Sequence, residues 1–149
     1  MLWQQQNKLM NPSILLKLSA APRAAVQPRD DDISLALRDA QLLAWLALEG
    51  PTARVRLAAL LWPDSDAEAA RNSLRQRLFQ LRKQLGLDVI VGSSMLALAS
   101  GVEHDLADSD AVLGDTAADN TEFGHWLAQQ RARRRERMRQ SLVELVEMA

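Results

Sequence analysis

The sequence predicts an α+β protein: a winged helix with an N-terminal antiparallel sheet, a three-helix core and a C-terminal β-hairpin wing, followed by a long C-terminal α-helix. Three observations carry this expectation. Short apolar runs bounded by Pro and Asp come first; two helical patterns joined by the corner "GPTA" lead into a longer one; and a Gly-Ser-Ser tip then separates two β-rich runs. Helix, helix, long helix, hairpin is the order of a winged helix.

The strands are read from "ILLKL" (14–18), "AAV" and "ISLAL", giving two or three of them. The intervening "QPRDDD" is assigned to a turn, because Pro28 and three aspartates do not belong in a strand interior. "RDAQLLAWLALEG" sets Leu42, Leu43, Trp45, Leu46 and Leu48 at helical spacing and stops at Gly50-Pro51. "ARVRLAALLWP" carries Val55, Leu57, Leu60, Leu61 and Trp62 before Pro63 breaks it. In "SDAE", Ser65 reads as an N-cap with Glu68 three residues on, a capping box that opens a long helix closed by Gly86. Val89–Val91 and Met95–Leu98 form the hairpin around "GSS". The last helix opens at "NTEFGHWLAQQ", capped by Asn120 or Thr121, with Phe123, Trp126, Leu127, Met138, Leu142, Leu145 and Val146 as its apolar positions.

With 149 residues the chain is long enough for one domain with a real core plus a small appendage. Having no cysteine, it forms no disulfide and offers no thiolate ligand or nucleophile, which fits a reducing compartment; the cytoplasm is the expected location. No run of about 18 apolar residues occurs, so no membrane partner is expected. The formal net charge of −1 hides a segregation. From Arg54 to Lys83 the bases Arg54, Arg56, Arg71, Arg75, Arg77, Arg82 and Lys83 outnumber Asp64, Asp66 and Glu68. From Gly101 to Glu122 every charge is an acid, and "RARRRERMR" then sets six arginines around Glu136. These blocks divide the chain into a disordered N-terminus (1–12), a folded domain (13–106), an acidic linker (107–119) and a final helix (120–149).

Placing residues at about 100° apiece puts Ala67, Ala70, Leu74, Leu78, Leu81 and Leu85 of the long helix on one line, its core stripe. Opposite lie Asn72, Gln76, Phe79 and Lys83, with Arg71, Arg75 and Arg82 on one shoulder and Arg77 on the other. In a major groove, asparagine and glutamine pair with adenine, arginine and lysine with guanine, and an apolar ring with the thymine methyl. Shoulder arginines reach the flanking phosphates. We therefore expect Arg71, Asn72, Arg75, Gln76, Phe79, Arg82 and Lys83 to contact double-stranded DNA. For Phe79 the alternative is packing beneath the wing or against a partner.

"LAALLWPDSDAEAARNSLRQRLFQLRKQLG", with "LRDAQLLAWLAL" before it and "GSSMLALASGVEHDLADSD" after, resembles the DNA-binding domain of SARP-type bacterial transcriptional activators. The resemblance implies an OmpR-like winged helix followed by a bacterial transcriptional activation domain of tetratricopeptide-like helix pairs. "EFGHWLAQQRARRRERMRQSLVELVE" is similar to the first helix of that module, here truncated. Tandem or dimeric binding to direct repeats, hence a homodimer, and contact with RNA polymerase follow from the resemblance alone. Several residues depart from the pattern. The tip "GSS" has no base, Ala53 stands where a capping serine is common, and Arg134 interrupts the apolar stripe between Leu127 and Met138.

A second functional class is a winged-helix protein-interaction module without DNA binding, docking through the C-terminal helix. An enzyme is not expected: His104, assigned to a solvated acidic loop, and His125 share no metal-ligand spacing, and there is no phosphate-binding glycine loop. No cofactor, metal or small-molecule ligand is expected. The arginines at 131–139 lie on every side of their helix and are read as an exposed or partner-facing surface.

Overall fold

The computed structural model of the chain describes residues 13–107 and 111–148, so the N-terminal stretch 1–12 expected to be disordered lies outside the described residues. The architecture is α+β. Strands β1 (Ser13–Lys17), β2 (Arg23–Gln27) and β3 (Asp31–Ser34) precede helix α1 (Leu37–Glu49), and β4 (Thr52–Ala53) leads into α2 (Arg54–Leu61) and α3 (Ala67–Leu85). Then come β5 (Ile90–Val91), β6 (Met95–Leu98), β7 (Val102–His104) and α4 (Glu122–Met148).

One sheet has the order β3-β2-β1-β7 and the other β4-β6-β5. In β1 and β2 the alternation expected of a half-buried strand holds: Ile14 and Leu16 pair with Val26 and Ala24, and all four are buried. Asp31 and Asp32, assigned to a turn on sequence grounds, are strand residues of β3. An edge strand bonds on one side only and shows its other side to water, so carboxylates are tolerated there; Asp32 meets Arg23 on the neighbouring strand at 2.8 Å.

The second departure is β7, which runs parallel to β1 with Ile14 opposite Val102 and Leu16 opposite His104. His104 is therefore a half-buried strand residue rather than a solvated loop one, and its Nδ1 accepts from the Leu106 amide at 3.2 Å. The Asp105 carboxylate closes the strand end by accepting from Leu18 N and Ser19 Oγ, both at 2.7 Å.

Helix α1 is buried from Asp39 to Leu46 and forms the middle of the core, against which α2 and the leucine seam of α3 pack. Ala70, Leu74, Leu81 and Leu85 are buried and Leu78 partly so, as the helical spacing requires. Ala67 is not: it is exposed on an open groove beside Trp62 and Pro63. The cap of α3 is Asp66, whose carboxylate accepts from Ala69 N at 2.8 Å, and not Ser65, whose amide instead closes a turn onto Trp62 O. A carboxylate at that position satisfies an orphan amide and also faces the positive end of the helix dipole. Gly86 ends α3 in the left-handed conformation (φ 77°).

Ala53 caps α2 without any side-chain acceptor. Ala53→Ser is expected to raise the unfolding free energy by about 0.5–1 kcal/mol, read from denaturant midpoints, because it supplies an oxygen to an otherwise unpaired helix amide.

The β5–β6 hairpin follows α3 directly, with Ile90 opposite Leu98 and Val91 opposite Ala97. At its tip Gly92 has φ 115°, and a Cβ there would stand 1.8 Å from Met95 O, so the turn admits only glycine. β6 also pairs with β4 in the corner between α1 and α2, which fastens the hairpin to the start of α2.

Helix α4 is capped by Thr121, whose Oγ1 accepts from Gly124 N at 3.0 Å. Its first half docks on the body. Trp126 lies 4.8 Å from Trp45 and 5.1 Å from Phe123, centroid to centroid, and its Nε1 donates to Glu49 Oε1 at 2.7 Å. Arg56 of α2 pairs with Glu122, holding that carboxyl below the usual glutamate range and raising its own pKa. Two arginines of the run read as exposed point inward instead. Arg131 donates to the carbonyls of Val112, Gly114 and Thr116, and the buried Arg134 donates to Leu106 O. The irregular stretch 111–116 leaves carbonyls that no ladder pairs, and a guanidinium with its several donors satisfies them together. Burial lowers the pKa of both arginines from the ordinary range. Val112 and Leu113 are accordingly buried, and Leu113 N reaches Leu18 O.

Candidate nucleic-acid interface

The outward face of α3 is continuous. Arg71, Asn72, Arg75, Gln76, Phe79, Arg82 and Lys83 are all exposed, and the helix brings them together over little more than three turns. Few of these side chains are engaged. Arg75 Nη2 donates to Asn72 Oδ1 at 3.2 Å, and Arg82 Nε meets Asp88 at 3.1 Å. Both contacts are at the surface, where such pairs contribute only about 0–1 kcal/mol, so a polyanion displaces them at small cost.

Phe79 is 63% exposed. It does not pack beneath the hairpin but stands at the rim of a cleft of about 240 Å³ between α3 and β5–β6, whose apolar floor includes Leu81, Val89 and Leu96. A phenyl ring held in water on an otherwise polar face is available for contact.

Arg77 does something else. Its Nε and Nη2 donate to the two carboxylate oxygens of Asp39 at 2.9 and 2.6 Å, and Asp39 is fully buried at the start of α1. This hydrogen-bonded pair raises the arginine pKa and fixes the rotation of α3 about its axis relative to α1. The shoulder on which Arg77 sits is thus inward-facing, and the shoulder left exposed is that of Arg71, Arg75 and Arg82.

One base of the 54–83 block that was not among the expected contacts lies beside them. Arg54, in the first turn of α2, lines the same cleft as Phe79 and Arg82, and its Nη1 donates to Ser93 O at 3.3 Å in the hairpin tip. Arg54 N likewise bonds Ser94 O at 2.8 Å. The tip itself carries no base, so Arg54 is the cation nearest to it through bonds. Only the pairing of β4 with β6 brings them together, and two residues of "TA" give no strand signal that a sequence pattern registers.

The C-terminal end of α3 is tied down by Arg29, whose Nη2 donates to Leu85 O at 2.7 Å, and by Gln84, which bonds Ser34 O. Together with the Asp39 pair these contacts make α3 a rigid support, and a site on a fixed helix holds its side chains to closer tolerances than one on a loop. No protein-family model matches this chain, and no curated protein and no solved structure is detectably similar to it.

Proposed function

We propose that the chain is a sequence-specific DNA-binding transcriptional regulator, an OmpR-like winged helix of the SARP type in which α3 enters the major groove and β5–β6 is the wing. The observation that carries this reading is the exposed outer face of α3: no other described part of the chain covers Asn72, Gln76 or Lys83. Supporting it is the order of α1, α2, α3 and hairpin behind an N-terminal sheet. In this reading Asn72 and Gln76 address base edges, Phe79 a thymine methyl, and Arg71, Arg75, Arg82 and Lys83 phosphates or guanine. Helix α4 is then the first helix of an activation module. RNA polymerase, a second copy of the chain and a cytoplasmic setting belong to the same proposal.

Fluorescence anisotropy on duplexes selected from a random pool, at several salt concentrations, tests it. Lys83→Ala is expected to weaken binding on all duplexes alike and to flatten the slope of log K against log salt by about one unit. Gln76→Ala is expected to relax preference at one base pair, with about 1–3 kcal/mol of discrimination lost there. Two features favour the second reading, a protein-interaction module: the uncharged tip and the exposed apolar side chains of Phe79 at the cleft and of Val91 and Met95 on the hairpin. Absence of duplex binding, or binding indifferent to both substitutions, selects that reading.

A further inference from the structure

Arg54 takes no part in the contacts assigned to α3, and its charge is uncompensated. Arg56 pairs with Glu122, Arg77 with Asp39 and Arg82 with Asp88. Among the described residues no carboxylate bonds Arg54, whose guanidinium has the neutral Ser93 carbonyl as its acceptor at 3.3 Å. A carbonyl positions a guanidinium without cancelling its charge, and most of the N–H donors remain for another acceptor. The main chain of Arg54 is fixed as well, its amide donating to Ser94 O at 2.8 Å. The side chain is therefore rooted between the start of α2 and the hairpin tip.

Its position says which anion it suits. Arg54, Phe79 and Arg82 line the cleft between α3 and the β5–β6 hairpin, with Leu81, Val89 and Leu96 in its floor. A helix lying in a major groove, about 12 Å wide, runs between the two sugar-phosphate strands that bound the groove. The hairpin packs along one side of α3, so one of those strands crosses the cleft on that side. The cleft has a guanidinium on each side, Arg82 from α3 and Arg54 at the hairpin tip. Asp88, the carboxylate that lines it, is already paired with Arg82 at 3.1 Å, which leaves Arg54 as the free charge there.

We infer that Arg54 is a phosphate-binding residue: it holds the sugar-phosphate strand of a DNA duplex that crosses the cleft between α3 and the hairpin, and it supplies the charge that the tip "GSS" lacks. Its contact is with the backbone, so it adds affinity and fixes the register of α3 in the groove without reading sequence. This role rests on the major-groove placement of α3 proposed above, and the test below separates the two.

Duplexes selected from a random pool with the full chain are titrated at several salt concentrations with the wild type, Arg54→Gln and Arg54→Lys. Arg54→Gln is expected to lower affinity about tenfold on every duplex, with base preference unchanged, and to flatten the slope of log K against log salt by about one unit. Arg54→Lys, which keeps the charge, is expected to retain the slope. Neutral methylphosphonate linkages, placed one at a time along the selected site, locate the contact. One linkage is expected to weaken the wild type and leave Arg54→Gln unaffected, a result that a merely structural role for Arg54 does not produce. Absence of binding by the wild type on every duplex removes the DNA-binding reading and this contact with it. Duplex binding in which Arg54→Gln equals the wild type in affinity and slope overturns the contact alone. So does a changed base preference, and so does a scan in which the same linkages weaken both proteins.

Discussion

Arg77→Ala is expected to lower the unfolding free energy by about 3 kcal/mol, and the melting temperature by roughly 10 °C, in denaturant and thermal unfolding of the whole chain. The reason is Asp39. It has no exposed surface and receives both of its side-chain hydrogen bonds from Arg77, so removing the guanidinium leaves a carboxylate inside the core with nothing to replace the water it gave up. The figure is taken at the low end of the range for broken buried pairs because the Arg77 side chain is 32% exposed and partly solvated already. Replacing both partners by apolar residues of similar volume, Asp39→Leu with Arg77→Met, is expected to recover most of the loss, since the penalty belongs to the orphaned charge rather than to the missing bond. Equal destabilisation in the single and double variants would show that shape, not charge, sets the energy here.

Trp126→Ala is expected to cost about 3–4 kcal/mol of docking energy for α4. Trp126 sits between Trp45 and Phe123 and donates to Glu49, so the substitution removes two ring contacts, a hydrogen bond and much of the apolar area joining the helix to the body. Since the core of α1, α2, α3 and the β1–β2 sheet does not depend on that ring, the loss is expected to be local: protease cleavage and amide exchange rise across 120–148 while the rest stays protected. Trp126→Phe, which keeps the ring stack and loses only the bond to Glu49, is expected to cost about 1 kcal/mol. Uniform loss of protection throughout the chain would mean that α4 is part of the core rather than docked upon it.

What the sequence made legible is what local pattern controls. The leucine seam of α3, its stop at Gly86, the hairpin around Gly92 and the Thr121 cap are each set by residues within a few positions of one another, and the exposed face of α3 follows from the same period that buries its seam. The misreadings of β7 and of the arginines in α4 involve partners distant in the chain; the others turn on local choices that composition leaves open. Parallel pairing of β7 with β1 joins residues some 88 positions apart, and three residues of "VEH" show no alternation to announce it. Asp31 and Asp32 were misplaced because composition cannot tell an edge strand from a turn. Arg131 and Arg134 looked like surface because the carbonyls they serve are made available only by the path of residues 106–116. Ser65 and Asp66 are both good caps, and the choice between them depends on where the chain leaves Pro63.

Helix α1 touches both α3 and α4: Asp39 near its beginning holds Arg77 of α3, and Trp45 and Glu49 near its end hold Trp126 of α4. Asp39 and Glu49 are ten residues apart, about 15 Å along a helix buried over most of its length. The two contacts thus share one rigid element, so a substitution that shifts α1 is expected to disturb the Arg77 pair and the seat of Trp126 together.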